Sequence, residues 1–284
     1  MESGLYLVST PIGNMGDMTA RAIETLRQVD VVYAEDTRRT GLLLQALGIE
    51  AELRSLHEHN EASRCEEVVA RLAAGGSCAL VSDAGTPIVS DPGWRVVEAA
   101  IADGQRVVPI PGPSAILAAL TVAGVDATRF AFMGFAPRRG RDRTEWLDQV
   151  AESSLSVVAF ESPRRLATTL EALEKLGAGE RAAAVCRELT KKFEEVRRGT
   201  VTQLLEYYRD TEPRGEVTLV LAGRAGRDAE HAERAGPRAR ELAASGRTAR
   251  DIARVLADEL GVPRNEAYRI ALDSMEEDGD VSTG

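Results

Sequence analysis

Residues 82–93 read Ser-Asp-Ala-Gly-Thr-Pro-Ile-Val-Ser-Asp-Pro-Gly, and the apolar run 78–81 comes directly before them. A helix-like segment, 94–103, follows, so the stretch is typical of a loop between a strand and a helix. Its small residues let the backbone approach a ligand, its prolines fix the path of the chain, and Asp83 adds a carboxylate at the end of the strand. Ligands of open α/β sheets bind at that end. We therefore predict a ligand-binding loop, with a plain polar turn as the alternative.

Two further loops in the same half of the chain have this character. Residues 9–14, Ser-Thr-Pro-Ile-Gly-Asn, follow the apolar run 5–8, and residues 111–115, Pro-Gly-Pro-Ser-Ala, follow 106–108. Neither the glycine fingerprint of dinucleotide-binding folds nor a phosphate-binding P-loop is present. The sequence thus predicts a site of another kind, formed by three loops.

The first half of the chain alternates strand and helix patterns, which predicts an α/β fold with a mainly parallel sheet. We expect strands near 4–9, 31–34, 53–56, 77–82 and 106–109. We expect helices near 19–29, 38–47, 60–74, 93–103 and 114–123. Thr19 and Asn60 are suited to cap their helices. Residues 1–124 are therefore interpreted as an N-terminal α/β domain.

Residues 124–143 interrupt this alternation, and we place a domain boundary there. A second α/β domain, 125–223, is predicted to have strands near 155–160, 181–187, 194–199 and 216–222. Its helices are predicted near 144–151, 163–176 and 201–209. The turn at Thr200 after the third of these strands indicates at least one antiparallel pair, so this sheet should be mixed.

The last part of the chain predicts a small helical module, 237–275, after a polar linker, 224–236. Short helices are expected at 238–244, 248–259 and 263–273, with turns at Gly246 and Gly261 and an N-cap at Thr248. The spacing resembles a helix-turn-helix, with Arg264 and Arg269 on the last helix; a packing module or a dimer contact is the alternative. The acidic tail 276–280 is expected to be disordered.

Composition narrows the function classes. A chain of 284 residues that is 44% hydrophobic can bury the cores of about two domains. No apolar run approaches the roughly 20 residues of a membrane span, and no basic region leads into an apolar signal at the start, so we expect a cytoplasmic protein. The formal net charge of −10 indicates that any contact with nucleic acid is local.

Metal binding and disulfides are not indicated. The three cysteines, Cys65, Cys78 and Cys186, are scattered and form no Cys-x-x-Cys pair. His57 and His59 lie two residues apart, but no third ligand follows at a suitable spacing. We therefore predict no metal site.

Six segments in one order resemble a known family: 7–14, 34–38, 57–61, 82–93, 161–164 and 187–191. They are similar to the bacterial ribosomal RNA small-subunit methyltransferase I group of the tetrapyrrole-methylase superfamily, and the resemblance covers residues 4 to 275. It implies two α/β domains flanking a cleft for S-adenosylmethionine, and a homodimer. It also implies methylation of the ribose 2′-hydroxyl of a cytidine in 16S rRNA of the small ribosomal subunit, position 1402 in rRNA numbering.

The resemblance also implies residues that bind the cofactor. From the first domain these are Pro11, Asp83, Gly85, Thr86, Ser114 and Ala115. From the second domain they are Glu161, Arg187 and Glu216.

The group that accepts the hydroxyl proton is left open, because several side chains lie just past predicted strand ends. The candidates are Asp36, Glu58, Glu61, Glu188 and Lys191; capping a helix or pairing with an arginine is the alternative for each. RNA contacts are expected from five arginines, namely Arg38, Arg138, Arg139, Arg141 and Arg143. For the four at 138–143, a solvated linker is the alternative.

Two rival interpretations remain at this level. One is methylation of a small tetrapyrrole-like substrate in the same cleft. The other is a regulator that senses S-adenosylmethionine with its α/β part and binds DNA with its helical module.

Overall fold

The structure, a computed structural model, describes residues 1–224, 227–260, 262 and 264–279. Of residues 227–234, 264–266 and 276–279 it describes the backbone alone. The chain divides into two compact units, Met1–Ala222 and Gly223–Gly284. The first unit contains both sheets, each with its helices.

The first sheet consists of five parallel strands in the spatial order β3-β2-β4-β1-β5. The strands are β1 (Gly4–Val8), β2 (Val31–Ala34), β3 (Glu52–Ser55), β4 (Ser77–Val81) and β5 (Val107–Ile110). The helices are α1 (Ala20–Gln28), α2 (Thr37–Ala46), α3 (Glu61–Ala73), α4 (Trp94–Ala102) and α5 (Ala115–Ala123). The α/β alternation predicted for this half is confirmed.

The central strands of this sheet are buried on both faces. Along β1, Tyr6 and Val8 pack into one apolar cluster and Leu5 into another, as the two-residue period of a strand requires. This explains why the strands read as uninterrupted apolar runs.

The predicted caps in this half have different outcomes. The Thr19 side chain accepts a hydrogen bond from the Ala22 N–H at 3.1 Å and caps α1. Asn60 makes no such bond at α3, so its predicted capping role is wrong. Its side chain accepts from the His57 N–H and donates to Ser55 instead, which closes the turn before the helix.

The second sheet has the order β6-β7-β10-β8-β9 and is mixed, as predicted. Its strands are β6 (Phe130–Phe135), β7 (Ser156–Glu161), β8 (Ala182–Arg187), β9 (Glu195–Thr200) and β10 (Val217–Leu221). Strand β6 is parallel to β7, and the other three pairs are antiparallel. The helices are α6 (Gly140–Glu152), α7 (Leu166–Leu173) and α8 (Val201–Asp210).

No strand was predicted in the segment 124–143, where the alternation is interrupted, but residues 130–135 form the edge strand β6. Its pattern lacks the alternation of a half-exposed strand, and its pairing with β7 shifts between Phe132 and Phe135. The intervening Gly134 has a φ of 62°, a left-handed conformation that favours glycine. The helix that follows begins at Gly140, so Arg141 and Arg143 are helical.

Helix α5 joins the two sheets. It follows β5 of the first sheet, and its apolar residues Ala119, Leu120 and Ala123 pack in one cluster with Val158 and Val220 of the second sheet. Arg198 of β9 donates to the Val122 carbonyl at 2.8 Å. This helix is apolar on nearly every side, and one of its faces packs against the second sheet while Leu117 stays 55% exposed.

The C-terminal unit contains α9 (Arg227–Ala244), α10 (Ala249–Leu260) and α11 (Arg264–Gly279). They share a small core that includes Ala239, Leu242, Ile252 and Leu256. The linker predicted at 224–236 was wrong from residue 227 onward, because Ala, Arg and Glu favour a helix there despite their polarity. The tail predicted to be disordered is helical through Gly279.

Other predictions for this unit depend on single residues. Thr248 caps α10, since its side chain accepts from the Asp251 N–H at 3.3 Å. Arg269 is exposed, whereas the side chain of Arg264 is not described. Gly261, Pro263 and Asp280 lie outside the described residues. In the described part of the chain, no helix has the length and apolar character needed to cross a membrane.

A chain that ends after Gly223 should fold by itself, because both sheets and their cores precede that residue. We expect cooperative unfolding in guanidinium chloride, followed by the fluorescence of the buried Trp146. As a control, a chain that ends after Thr211 lacks β10, which lies between β7 and β8, and should not fold. A non-cooperative transition for the longer chain would contradict the division into units.

Candidate active site

The three loops that the sequence singles out meet at the centre of the first sheet, because β4, β1 and β5 are neighbours. Thr10 and Gly85 exchange two backbone hydrogen bonds, with N···O distances of 2.9 and 3.0 Å. The Ser9 hydroxyl donates to Thr86 at 3.4 Å, and the Thr86 hydroxyl donates to the Pro113 carbonyl at 3.3 Å. The loops therefore form one connected surface at the carboxyl edge of the sheet.

Two glycines allow this close approach. Gly85 has a φ of 87°, and a Cβ there would lie 3.3 Å from Ile12 Cγ2. A Cβ on Gly112 would lie 2.9 Å from Ser9 Cβ, which is closer than real Cβ contacts. Any side chain at either position would push the loops apart.

A cleft of about 1510 Å³ extends from this surface to the second sheet. The three loops line one side of it. The other side is formed by residues 130–138, 160–165 and 215–218. Phe160 makes aromatic contacts with Phe132 and Phe135, each at 5.1 Å between ring centroids. The cleft is thus mainly apolar.

Asp83 lies in the cleft with both carboxylate oxygens engaged. One accepts the Asp36 N–H at 3.1 Å, and the other is paired with Arg39 at 3.1 Å. These bonds join the ends of β4 and β2 and fix the direction of the carboxylate. No pattern in the sequence indicated Arg39, which is one of two arginines on α2.

Asp91 also lines the cleft, although it was not among the site residues predicted from the sequence. Burial, followed by the nearby charge of Glu35, raises its pKa to about 6 despite an opposing hydrogen bond from Ser82. Burial and the charge of Asp83 likewise raise the pKa of Glu35. Asp91 lies in the loop 82–93, and this position could have identified it as a site residue.

Glu161 is a buried carboxylate at the end of β7, with a side chain that is only 1% exposed. It is paired with Arg165 at 2.7 Å and accepts from the Thr169 hydroxyl at 2.5 Å. Arg143 lies 3.8 Å away and donates to Thr169 and to the Pro137 carbonyl. This network fixes the second side of the cleft.

Glu188, Lys191 and Glu216 form an ion cluster at the edge of the cleft. Lys191 Nζ lies 3.0 Å from Glu188 and 3.1 Å from Glu216. Burial alone raises the pKa of Glu188, but hydrogen bonds from Lys191 and the Glu216 N–H bring it below its usual value. Burial alone lowers the pKa of Lys191, but hydrogen bonds to the two carboxylates raise it. Glu188 and Lys191 therefore form a charged pair.

The Lys191 side chain also connects the two halves of the unit. It passes over Gly13 of the first loop, where a Cβ would lie 2.3 Å from Lys191 Cγ. Glycine at position 13 thus allows the ion cluster to close against the loop that follows β1.

Most residues expected to bind the cofactor line this cleft, but two do not. Those that do are Asp83, Gly85, Thr86, Ser114, Ala115, Glu161 and Glu216. Pro11 is not among the lining residues, and Arg187 lines a second, smaller pocket and is paired with Glu195 at 2.6 Å.

None of the proton-acceptor candidates lines the cleft. Asp36 caps α2, and hydrogen bonds from Arg38 lower its pKa to about 2. Glu58 is exposed. Glu61 is buried and accepts from the Gly93 and Arg95 N–H groups at the start of α4. The capping alternative therefore describes Asp36 and Glu61.

The five arginines expected to contact RNA lie in different surroundings. Arg138 lines the cleft, and Arg139 and Arg141 are exposed beside it. Arg143 is only 14% exposed and belongs to the Glu161 network. Arg38 is exposed and paired with Asp36.

The two histidines remain apart from any metal-ligand group. The ring centroids of His57 and His59 lie 6.0 Å apart. Among the described residues, no group of His, Cys, Asp or Glu is arranged to hold a metal ion.

The sequence pattern of the tetrapyrrole (corrin/porphyrin) methylases matches residues 4–205 of this chain. The chain belongs to this family. Its relatives include proteins named ribosomal RNA small subunit methyltransferase I. That of Synechocystis is 43% identical over 97% of this chain and 99% of the relative. The protein of this name from Escherichia coli O157:H7 is 39% identical over 95% of this chain and 94% of the relative.

Solved structures of low sequence identity share the fold. A uroporphyrin-III-C-methyltransferase from Thermus thermophilus superposes with a TM-score of 0.54 at 22% identity, over 78% of this chain and 94% of the other. A diphthine synthase superposes with a TM-score of 0.59 at 17% identity, over 77% of this chain and 89% of the other. This likeness concerns the fold.

The raised pKa of Asp91 predicts a pH dependence of stability. Between about pH 4 and 6 the folded protein binds more protons at Asp91 than the unfolded chain does, so the contribution of Asp91 to the free energy of unfolding should fall as pH rises through this window. The Asp91→Asn variant should lose that decline. Urea unfolding at several pH values measures it.

The exposed Asp148 on α6 offers a control for this experiment. The Asp148→Asn variant should keep the decline with pH. If Asp91→Asn and the unaltered protein show the same slope, Asp91 does not have the raised pKa.

Proposed function

We propose that this protein transfers a methyl group from S-adenosylmethionine to the 2′-hydroxyl of a cytidine ribose in 16S rRNA of the small ribosomal subunit. The position implied by the family resemblance is 1402 in rRNA numbering. The observation that carries this proposal is the similarity to a protein named ribosomal RNA small subunit methyltransferase I over 97% of the chain and 99% of that relative. A homodimer and a cytoplasmic location stay predictions.

The cleft fits the cofactor by size and chemistry. Its volume, about 1510 Å³, exceeds the roughly 300–1,000 Å³ of a typical small-ligand site, so it has room for a cofactor and part of a nucleotide. Residues suited to hold the cofactor are Asp83, Gly85, Thr86, Ser114, Ala115, Glu161 and Glu216. When bound, S-adenosylmethionine supplies an activated methyl group on a sulfonium, and the rigid loops of the chain hold the reactants in line.

Asp91 is the group we propose to accept the hydroxyl proton. Asp83, Glu161 and Glu216 also line the cleft, but each is paired with a cation. A pKa of about 6 leaves Asp91 mainly ionised at neutral pH while keeping its affinity for a proton high. This combination suits a general base.

RNA contacts are proposed for the arginines at the mouth of the cleft. Arg138 and Arg164 line it, and Arg139 and Arg141 are exposed next to Arg138. Guanidinium groups bind phosphates with defined geometry, and they provide local positive charge on a protein whose net charge is −10. Arg143 is left out because its side chain is committed to the Glu161 network.

Transfer of tritiated methyl groups to 30S particles that lack the modification tests the proposed function. Mass spectrometry of the rRNA then identifies the methylated nucleotide. Transfer to a tetrapyrrole and not to the particles would favour the small-molecule rival. Specific duplex DNA binding with no methyl transfer would favour the regulator.

The Asp83→Ala variant should lower the affinity for S-adenosylmethionine roughly 10-fold or more, since hydrogen bonds to a charged group contribute about 1.5–3 kcal/mol. Isothermal titration calorimetry measures this affinity. The matched control is Asp36→Ala, which removes a carboxylate outside the cleft and keeps the N–H that bonds to Asp83. Equal affinities for the unaltered protein and Asp83→Ala would remove Asp83 from the cofactor site.

Replacing Arg138, Arg139 and Arg141 together by Ser should weaken RNA binding and reduce its dependence on salt, with a slope smaller by about 2. Affinity for S-adenosylmethionine should stay unchanged. Filter binding of 16S rRNA at several salt concentrations measures the affinity for RNA and its dependence on salt. A control with the same change in charge replaces exposed arginines of the same unit that line neither pocket, namely Arg27, Arg106 and Arg209. If both triple variants behave alike, the three residues are not a specific contact.

A further inference from the structure

A second pocket of about 380 Å³ lies in the first unit between β8, β9, α8 and the turn 211–215. Its lining residues include Phe193, Tyr207, Tyr208 and Arg214. Neither the cofactor nor the proton acceptor proposed above requires it.

Exposed aromatic rings form part of this pocket. Phe193 is 65% exposed and Tyr207 is 37% exposed. Tyr207 is held in place on two sides, since the Arg197 guanidinium lies 3.5 Å from its ring centroid and Tyr208 meets it edge-on at 4.9 Å. Exposed, fixed aromatic rings are the platforms on which single-stranded nucleic acids stack their bases.

The carboxylates that line the pocket each have a basic side chain nearby. Glu188 is paired with Lys191, Glu195 with Arg187, and Glu212 lies 3.8 Å from Arg164. Within the described residues, Arg214 and Lys192 have no carboxylate partner, and Lys192 Nζ lies 5.6 Å from the Phe193 ring centroid. Two cations next to the aromatic rings are suited to a phosphate.

The pocket also contains a buried donor. Tyr208 is 3% exposed, and its hydroxyl has no hydrogen-bond partner among the described residues. Burial raises its pKa to about 12, so the hydroxyl keeps its proton. An acceptor that reached this hydroxyl would recover part of the cost of burying it.

The pocket and the large cleft share one lining residue, Gly215. Gly215 has a φ of 85°, and the Glu216 N–H after it donates to Glu188 at 3.1 Å. A nucleotide in the pocket would therefore lie next to the end of the cleft at Gly215.

We propose that this pocket binds an unpaired nucleotide of the RNA substrate next to the one that is methylated. Its base stacks on Phe193 and Tyr207, and its phosphate lies at Arg214 and Lys192. The identity of the ligand as RNA rests on the proposed function.

Substitutions of the exposed Phe193 test the stacking. Phe193→Ala should weaken binding of a fluorescein-labelled oligocytidylate about 5-fold or more, as loss of one base–aromatic stack does. Phe193→Leu, which keeps apolar bulk, should weaken it similarly, and Phe193→Trp should retain it. Fluorescence anisotropy measures the affinities, and calorimetry should show unchanged affinity for S-adenosylmethionine. The control is Leu176→Ala, an exposed apolar residue outside both pockets.

The Phe193→Trp variant also reports on the pocket directly, since a base stacked on the new indole quenches its fluorescence. The proposal is wrong if Phe193→Leu binds as tightly as the unaltered protein, if the new indole is not quenched, or if Leu176→Ala loses as much affinity. Methyl transfer to 30S particles by the unaltered protein tests the proposed function separately. If the protein transfers methyl groups but the Phe193 variants bind like the unaltered protein, the pocket proposal is wrong and the proposed function stands. If the new indole is quenched but no methyl group is transferred, the proposed function is wrong and the pocket proposal stands.

Discussion

The packing of α5 against the second sheet is the constraint on which the cleft depends. The helix begins at Ala115, directly after the third loop, and its apolar residues pack against strands of the second sheet. The loops at the end of the first sheet therefore face the second sheet across a fixed distance. Exposure of this helix would leave an apolar surface in water, so the same interaction stabilises the unit and shapes its site.

Polar interactions then fix the two sides of the cleft. On the first sheet, the reciprocal bonds of Thr10 and Gly85 join two loops, and Asp83 connects the ends of β4 and β2. On the second sheet, Glu161 is neutralised by Arg165. The ion cluster of Lys191 reaches from Glu216 across to Gly13 of the first loop. Rigid groups of this kind suit methyl transfer, a reaction that depends more on alignment than on strong acids or bases.

Several charged residues of the candidate motifs turn out to support the backbone. Asp36 and Glu61 cap helices, and Glu188 accepts the Glu216 N–H within the wall that separates the cleft from the second pocket. A carboxylate after a strand is equally suited to a cap and to a catalytic role, and the pattern alone does not separate these uses. Asp91 differs from them because its carboxylate lines the cleft and burial raises its pKa.

Local patterns in the sequence determined the strands and helices of the first sheet and the loops that carry the site. Apolar runs of strand length and loops rich in Gly and Pro are signals within a few neighbouring residues, so they needed no knowledge of the fold. The edge strand β6 was not predicted because its apolar residues do not alternate with polar ones. The start of α9 was not predicted because its charged residues resemble a linker. Which residues face the cleft was decided by tertiary structure. Arg39 meets Asp83 across 44 residues of chain, and Glu161 and Arg143 come together through strand order and helix packing. Sequence spacing cannot encode such distances, because they depend on how separate elements pack in space.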